Sequence, residues 1–204
     1  MRHPTILTPD RTALLIVDIQ PKLSRFIPRR DLVVGTVLRL ITLASIYRLP
    51  VALTEQNVDK LGATEAPITE ALHDPMLQVH MAARPLNKLE FSACASAAAE
   101  ELVLTKLDRH QIILVGMETH ICILQTALDL IANGRQVHLV TDGVGARGEE
   151  NHLSGLARME QAGCVLTNWE SVCYEIATNA GDENFRRVLS EIMKANPRIP
   201  AVAG

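Results

Sequence analysis

The sequence predicts a doubly wound α/β fold: a Rossmann-like, six-stranded parallel sheet with helices on both faces. Three observations carry this. Short β-rich runs alternate with helical patterns along the chain, as βαβ units require. Two of the runs, Ala13-Leu14-Leu15-Ile16-Val17 and Ile112-Ile113-Leu114-Val115, are continuously apolar, as expected of central strands covered from both sides. Polar residues with chemical potential gather directly after the runs.

The β-rich runs fall at residues 13–19, 51–54, 78–81, 111–116, 136–141 and 164–168. Helical patterns lie between them at residues 32–47, 93–107, 120–132, 151–162 and 184–194. Asn133-Gly134 supplies a helix stop just before the fifth run, and Asp182 an N-cap for the last helix. The stretch 55–67, with Asn57, Gly62 and Pro67, reads as an irregular loop over a site. No repeat, low-complexity tract or linker interrupts the chain, so residues 1–204 are expected to form a single domain.

Composition narrows the function. The 204 residues are 48% hydrophobic and 21% charged, a globular balance, and with aromatics at 3% the core must be aliphatic. The net charge of −3 and scattered basic residues give no footprint for nucleic acid or an anionic membrane. No leader pattern opens the sequence, and no apolar run approaches the ~18 residues of a membrane span. A cytoplasmic protein acting on a small molecule is the expectation. Cys94, Cys122, Cys164 and Cys173 show no CxxC spacing and are expected to be thiols.

Doubly wound sheets bind ligands beyond the carboxyl ends of their strands. Those positions hold Asp18 and Gln20 after the first run, Glu55 and Gln56 after the second, and Lys88 after the third. Glu118 to Cys122 follow the fourth and Asp142 the fifth. Cys122 opens the predicted helix 120–132, where unpaired amides and the helix dipole favour a thiolate and offer hydrogen bonds to a developing oxyanion. Asp18, partly withdrawn from water, suits a general acid and base, and Lys88 a nearby positive charge. The residues alone leave blander roles open: an aspartate ending a strand also caps turns, and a lysine is commonly a surface charge.

Three motifs together resemble the isochorismatase-like cysteine hydrolases. They are Ala13-Leu14-Leu15-Ile16-Val17-Asp18-Ile19-Gln20, Lys88 with Phe91-Ser92, and Gly116-Met117-Glu118-Thr119-His120-Ile121-Cys122. The likeness continues through Gln125–Leu130, residues 137–142, Arg158-Met159 and Glu170-Ser171-Val172, and is similar to the branch of small isochorismatase-domain hydrolases. It implies a triad of Asp18 as acid and base, Lys88 as charged partner and Cys122 as nucleophile. It also implies a cis peptide between Met117 and Glu118 that would aim the Glu118 amide, with that of Cys122, at the oxyanion. Gln20, Gln56, Phe91, Thr119 and His120 are candidate substrate contacts. Family members are commonly homo-oligomers. The expected activity is hydrolysis of a small amide, imide or related C–N substrate through a thioester, with vinyl-ether hydrolysis or a non-catalytic module with a redox-sensing or inert cysteine as alternatives.

Two other patterns point elsewhere. Gly143, Gly145 and Gly148 match a dinucleotide fingerprint, with Glu170 downstream, but Glu149 and Glu150 stand where a pyrophosphate needs positive potential. The bland alternative is a flexible strand-to-helix loop. Glu118, His120 and Cys122 alternate as metal ligands on a strand would, yet a helix start separates them. In the nicotinamidase branch, metal is bound after the second strand by an Asp and histidines. Here that place reads Thr54-Glu55-Gln56-Asn57. Neither a cofactor nor a metal is therefore expected.

Overall fold

The computed structural model describes residues 2–193. Six strands form one parallel sheet: β1 (Thr12–Val17), β2 (Val51–Gln56), β3 (Leu86–Lys88), β4 (Gln111–Met117), β5 (Gln136–Gly145) and β6 (Val165–Thr167). Their order is β3-β2-β1-β4-β5-β6, so the chain winds outward from β1 in one direction and from β4 in the other. That reversal places the topological switch point at the carboxyl ends of β1 and β4.

The helices are α1 (Pro21–Ser24), α2 (Arg30–Tyr47), α3 (Val58–Leu61), α4 (Ala66–His73), α5 (Ala97–Glu100), α6 (Leu124–Ala132), α7 (Glu149–Gln161), α8 (Trp169–Ala177) and α9 (Phe185–Arg187). β1 and β4 are buried along their whole length, which their unbroken apolar runs require. Alternate residues feed two aliphatic cores. Leu14, Ile16, Ile113 and Val115 pack with α2 on one face, whereas Leu15, Val17, Ile112 and Leu114 pack with Ile123, Ala127 and Leu130 on the other. Among the described residues no helix is long and apolar enough to cross a membrane.

Several expected elements differ. The third strand lies at Leu86–Lys88, while residues 78–81 touch the sheet only by a single bridge from Met81 to Val51. Residues 55–67 are not an irregular loop: they finish β2, form α3 and enter α4. The helix expected at 93–107 starts at Ala97, with the Ser96 side chain as its cap, and continues as a π-helical stretch, Glu101–Lys106. The last helix divides into α9 and a π-helical stretch, Val188–Met193, and its expected end at Lys194 lies outside the described residues. The N-cap of α9 is Asn184 rather than Asp182, which lies three residues before the first helical position, Phe185, and accepts the Asn184 amide at 2.7 Å. The stop at Asn133-Gly134 is as expected, with Gly134 at φ +72°.

Strand β5 runs on to Gly145, so Gly143 and Gly145 belong to the sheet rather than to a loop. A Cβ on Gly143 would stand 2.7 Å from Val115 Cγ1, and one on Gly145 2.8 Å from Ile27 Cγ2. Close packing accounts for both glycines, and neither the phosphate-binding nor the flexible-loop reading of the motif is needed.

His138, in the middle of β5, is fully buried, and burial pushes its imidazole down from 6.5 to about 4. The unfolded chain therefore binds a proton that the folded chain refuses between those values. Stability is expected to be full above about 6.5 and to fall as pH drops towards about 4, by at most on the order of 3 kcal/mol. Melting curves across this window should be visibly flatter for His138→Leu than for the parent; parallel curves would remove His138 as the cause.

Candidate active site

The backbone of Val17, the last residue of β1, lies in register with Thr54 of β2 and Gly116 of β4, so the following residue emerges at the switch point. That residue, Asp18, adopts a left-handed turn (φ 55°) and donates its amide to the Thr54 carbonyl at 3.1 Å. Aspartate is among the few side chains that tolerate such a backbone. Gly116 has φ +132°, and a Cβ there would stand only 2.0 Å from the Val17 carbonyl oxygen. The two central strands approach this closely only because position 116 has no side chain.

The Asp18 carboxylate is completely buried and held from two sides. Thr54 Oγ1 donates to Oδ1 at 2.8 Å, and Lys88 Nζ donates to Oδ2 at 2.5 Å. Lys88 ends β3, pairs in register with Gln56, and is itself buried. Its ammonium also reaches Gln56 Oε1 at 2.8 Å and the carbonyls of Phe91 and Glu90 at 3.1 and 3.2 Å. A buried ion pair persists when hydrogen bonds satisfy its remaining valences, and here they do. Lys88 is therefore no surface charge.

Cys122 lies in a π-helical turn, Thr119–Ile123, that leads directly into α6. The turn is closed by the Ile121 and Ile123 amides, both donating to the Glu118 carbonyl. Cys122 is nearly buried, at 5% exposure. Burial first, then the charge of Asp18, pushes the thiol up to about 12, while Lys88 pulls it down. This environment opposes the thiolate expected at neutral pH: desolvation and a neighbouring carboxylate work against the helix start. Alkylation by iodoacetamide, followed by mass spectrometry, should be slow at pH 7 and accelerate about tenfold per pH unit up to pH 9. A rate already level at pH 7 would show a preformed thiolate.

The Met117–Glu118 peptide is cis. The Glu118 carboxylate accepts from the Arg147 amide at 2.9 Å and from its Nε at 3.1 Å, which ties it to the segment between β5 and α7.

Some expected substrate contacts have other work. Gln20 is fully buried and its amide holds backbone: it donates to the Gln56 and Gly62 carbonyls and accepts from the Gln56 amide. Gln56 donates to the Leu89 carbonyl and accepts from Lys88, so it positions the lysine. Thr119 is buried, with its hydroxyl 2.9 Å from His152 Nδ1. His120 does not join the group. It faces α7, lining a small cavity of about 230 Å³ with Leu124, Asn151 and Arg158, and its Nδ1 is buried without a partner among the described residues. Only Phe91 keeps an exposed ring, on the loop that wraps Lys88.

Glu55, where the nicotinamidase branch would bind metal, accepts from the Thr64 amide and hydroxyl, both at 2.7 Å. Among the described residues no three His, Cys, Asp or Glu side chains cluster as a metal site. Thr54 is not legible as a site residue from the sequence, because it ends the second run instead of following it. Nor are Arg29 and His152, whose contact spans 123 positions and leaves no local signal.

A family model described as "Isochorismatase domain" matches residues 12–171. The chain is 29% identical over 194 residues to the "Secreted isochorismatase effector Isc1" of Phytophthora sojae, covering 95% of this chain and 89% of that one. Among solved structures it is similar to the MAR1 ribonuclease of Caenorhabditis elegans (TM-score 0.82, 29% identity, 97% and 98% of the two chains). It is also similar to the Escherichia coli YcaC product, described as an octameric hydrolase of unknown specificity (TM-score 0.81, 24% identity, 95% and 93%).

Proposed function

Because the chain belongs to the isochorismatase family, a family of hydrolases, we propose that it hydrolyses a small amide, imide or related C–N compound through a thioester on Cys122. The observation that carries this reading is the buried Asp18–Lys88 pair set within electrostatic reach of the Cys122 thiol. As substrate enters, Asp18 takes the thiol proton and Sγ attacks the carbonyl carbon. The amides of Glu118 and Cys122 hold the oxyanion. Asp18 passes its proton to the departing nitrogen, the C–N bond breaks, and a thioester remains. Water then attacks the thioester, giving its proton to Asp18, and the sulfur leaves as thiolate and recovers that proton. Lys88 keeps a positive charge beside both anionic centres throughout.

Retention of the cysteine supports C–N rather than vinyl-ether cleavage. The ribonuclease description of the C. elegans protein suggests RNA as a competing substrate, but a net charge of −3 with scattered basic residues offers no phosphate-tracking surface. Homo-oligomeric assembly is supported by the octameric relative and by exposed Leu89 and Phe91. Free thiols at all four cysteines accord with the reducing cytoplasm.

Incubation with a panel of small amides, quenched and digested, should yield an acyl mass on the Cys122 peptide with the active compounds. Cys122→Ala should lose both adduct and turnover. Turnover by that variant, or adducts confined to Cys94, would overturn the reading.

A further inference from the structure

A cavity of about 440 Å³ lies where the segment before α2 meets the first turns of α7, and none of the proposed chemistry uses it. Pro28, Leu153 and Leu156 make its apolar walls, and Arg29, His152 and Glu149 bring its charge and polarity. His152 is buried and doubly bonded: its Nε2 lies 2.8 Å from Arg29 Nη1 and its Nδ1 2.9 Å from Thr119 Oγ1. A guanidinium can only donate, so Nε2 must be the acceptor and Nδ1 carries the proton. The imidazole is therefore neutral, in keeping with burial and the adjacent Arg29 charge, which both lower its pKa.

This arrangement fixes Arg29 by one nitrogen and leaves its other edge uncommitted. Nη2 makes only a long contact, 3.5 Å, to the Thr141 carbonyl. Among the described residues no carboxylate forms an ion pair with Arg29, and Asp142, whose charge it feels, accepts the Trp169 amide instead. An Nε–Nη2 edge is the face of arginine that pairs bidentately with a carboxylate. Glu149 on the cavity wall opposes a second negative group.

We propose that this cavity binds a small monocarboxylate with a compact apolar body, its carboxylate on the Nε–Nη2 edge of Arg29 and its body against Leu153, Leu156 and Pro28. The ligand is either the acidic end of the substrate or product, or a separate effector; the chemistry is the same. Thr119 opens the turn that carries Cys122, so His152 joins the ligand to the reactive segment through two hydrogen bonds.

The test is calorimetric titration of the full chain carrying Cys122→Ala with benzoate, benzyl alcohol and terephthalate. Benzoate is expected to bind saturably, with the alcohol and the dicarboxylate each about tenfold or more weaker. Arg29→Met should weaken benzoate about tenfold or more, and Leu156→Trp, which fills the cavity, should abolish it. Equal benzoate affinity with and without Arg29→Met, in variants that melt cooperatively, would overturn the site, as would no saturable binding by the parent. In the native chain, protection of Cys122 from iodoacetamide by benzoate assigns the carboxylate to the substrate, and unchanged alkylation assigns it to an effector; either supports the site. Because binding is read without the nucleophile, absence of an acyl-enzyme would sink the proposed reaction and leave this result standing.

Discussion

Asp18→Asn is expected to lower turnover by about 10²- to 10⁴-fold, the range general acid–base catalysis supplies. Asparagine keeps the shape and can still accept from Thr54, but it cannot take the thiol proton or return it to the leaving nitrogen. The same change strands the Lys88 ammonium, whose side chain has no solvent exposure, without its counter-charge. Removing one partner of a buried pair costs about 3–5 kcal/mol, whereas replacing both by apolar groups is often neutral. Thermal melting should therefore fall for Asp18→Asn and recover in large part when Lys88→Met is added, while turnover stays lost. Stability and chemistry are separated by that double variant. An Asp18→Asn protein working within tenfold of the parent would remove Asp18 as the proton carrier.

Gly116→Ala is expected to prevent accumulation of folded protein. The new carbon would stand 2.0 Å from the Val17 carbonyl oxygen, a backbone atom in the middle of the sheet that no side-chain motion can relieve. The cost should exceed about 4–5 kcal/mol, against a total stability of about 5–15 kcal/mol for an ordinary domain. Gly134→Ala is the control. It shares a positive φ, +72°, but meets nothing within 4 Å, so it should cost about 1–2 kcal/mol. Soluble yield and urea midpoints compare the two; a Gly116→Ala midpoint matching that of Gly134→Ala would contradict the close approach.

How much was legible in the sequence depends on range. Central strands announce themselves because burial on both faces demands an unbroken apolar run, and β1 and β4 have one. The edge strand β3 does not. Leu-Asn-Lys carries no β-branched residue and pairs only with the end of β2, so its strand character comes from a neighbour rather than from propensity. Residues 78–81 carry the more apolar pattern nearby, yet they meet the sheet only through the bridge from Met81 to Val51. The extension of β5 to Gly145 was hidden because glycine has low strand propensity, and only the facing Val115 and Ile27 explain it.

At the candidate site, Asp18 and Cys122 were legible as positions following strands, whereas Lys88 ends the edge strand β3 and was singled out only as lying beyond the run at 78–81. The environments of all three were not legible. Whether a thiol at a helix start is ionised depends on how much water and which charges surround it, and those come from residues far apart in the chain. For the same reason Gln20, Gln56 and Thr119 looked free to meet a substrate until the backbone carbonyls, the lysine and the imidazole they serve were in view.

The ammonium of Lys88 faces four oxygens but carries three protons, and two of those oxygens belong to the loop beyond it, at Glu90 and Phe91. One cation thus ties the loop after β3 to the buried Asp18 carboxylate. Lifting that loop would cost Lys88 two of its acceptors and loosen its hold on Asp18, so in the proposed reaction loop opening and the strength of the acid would change together.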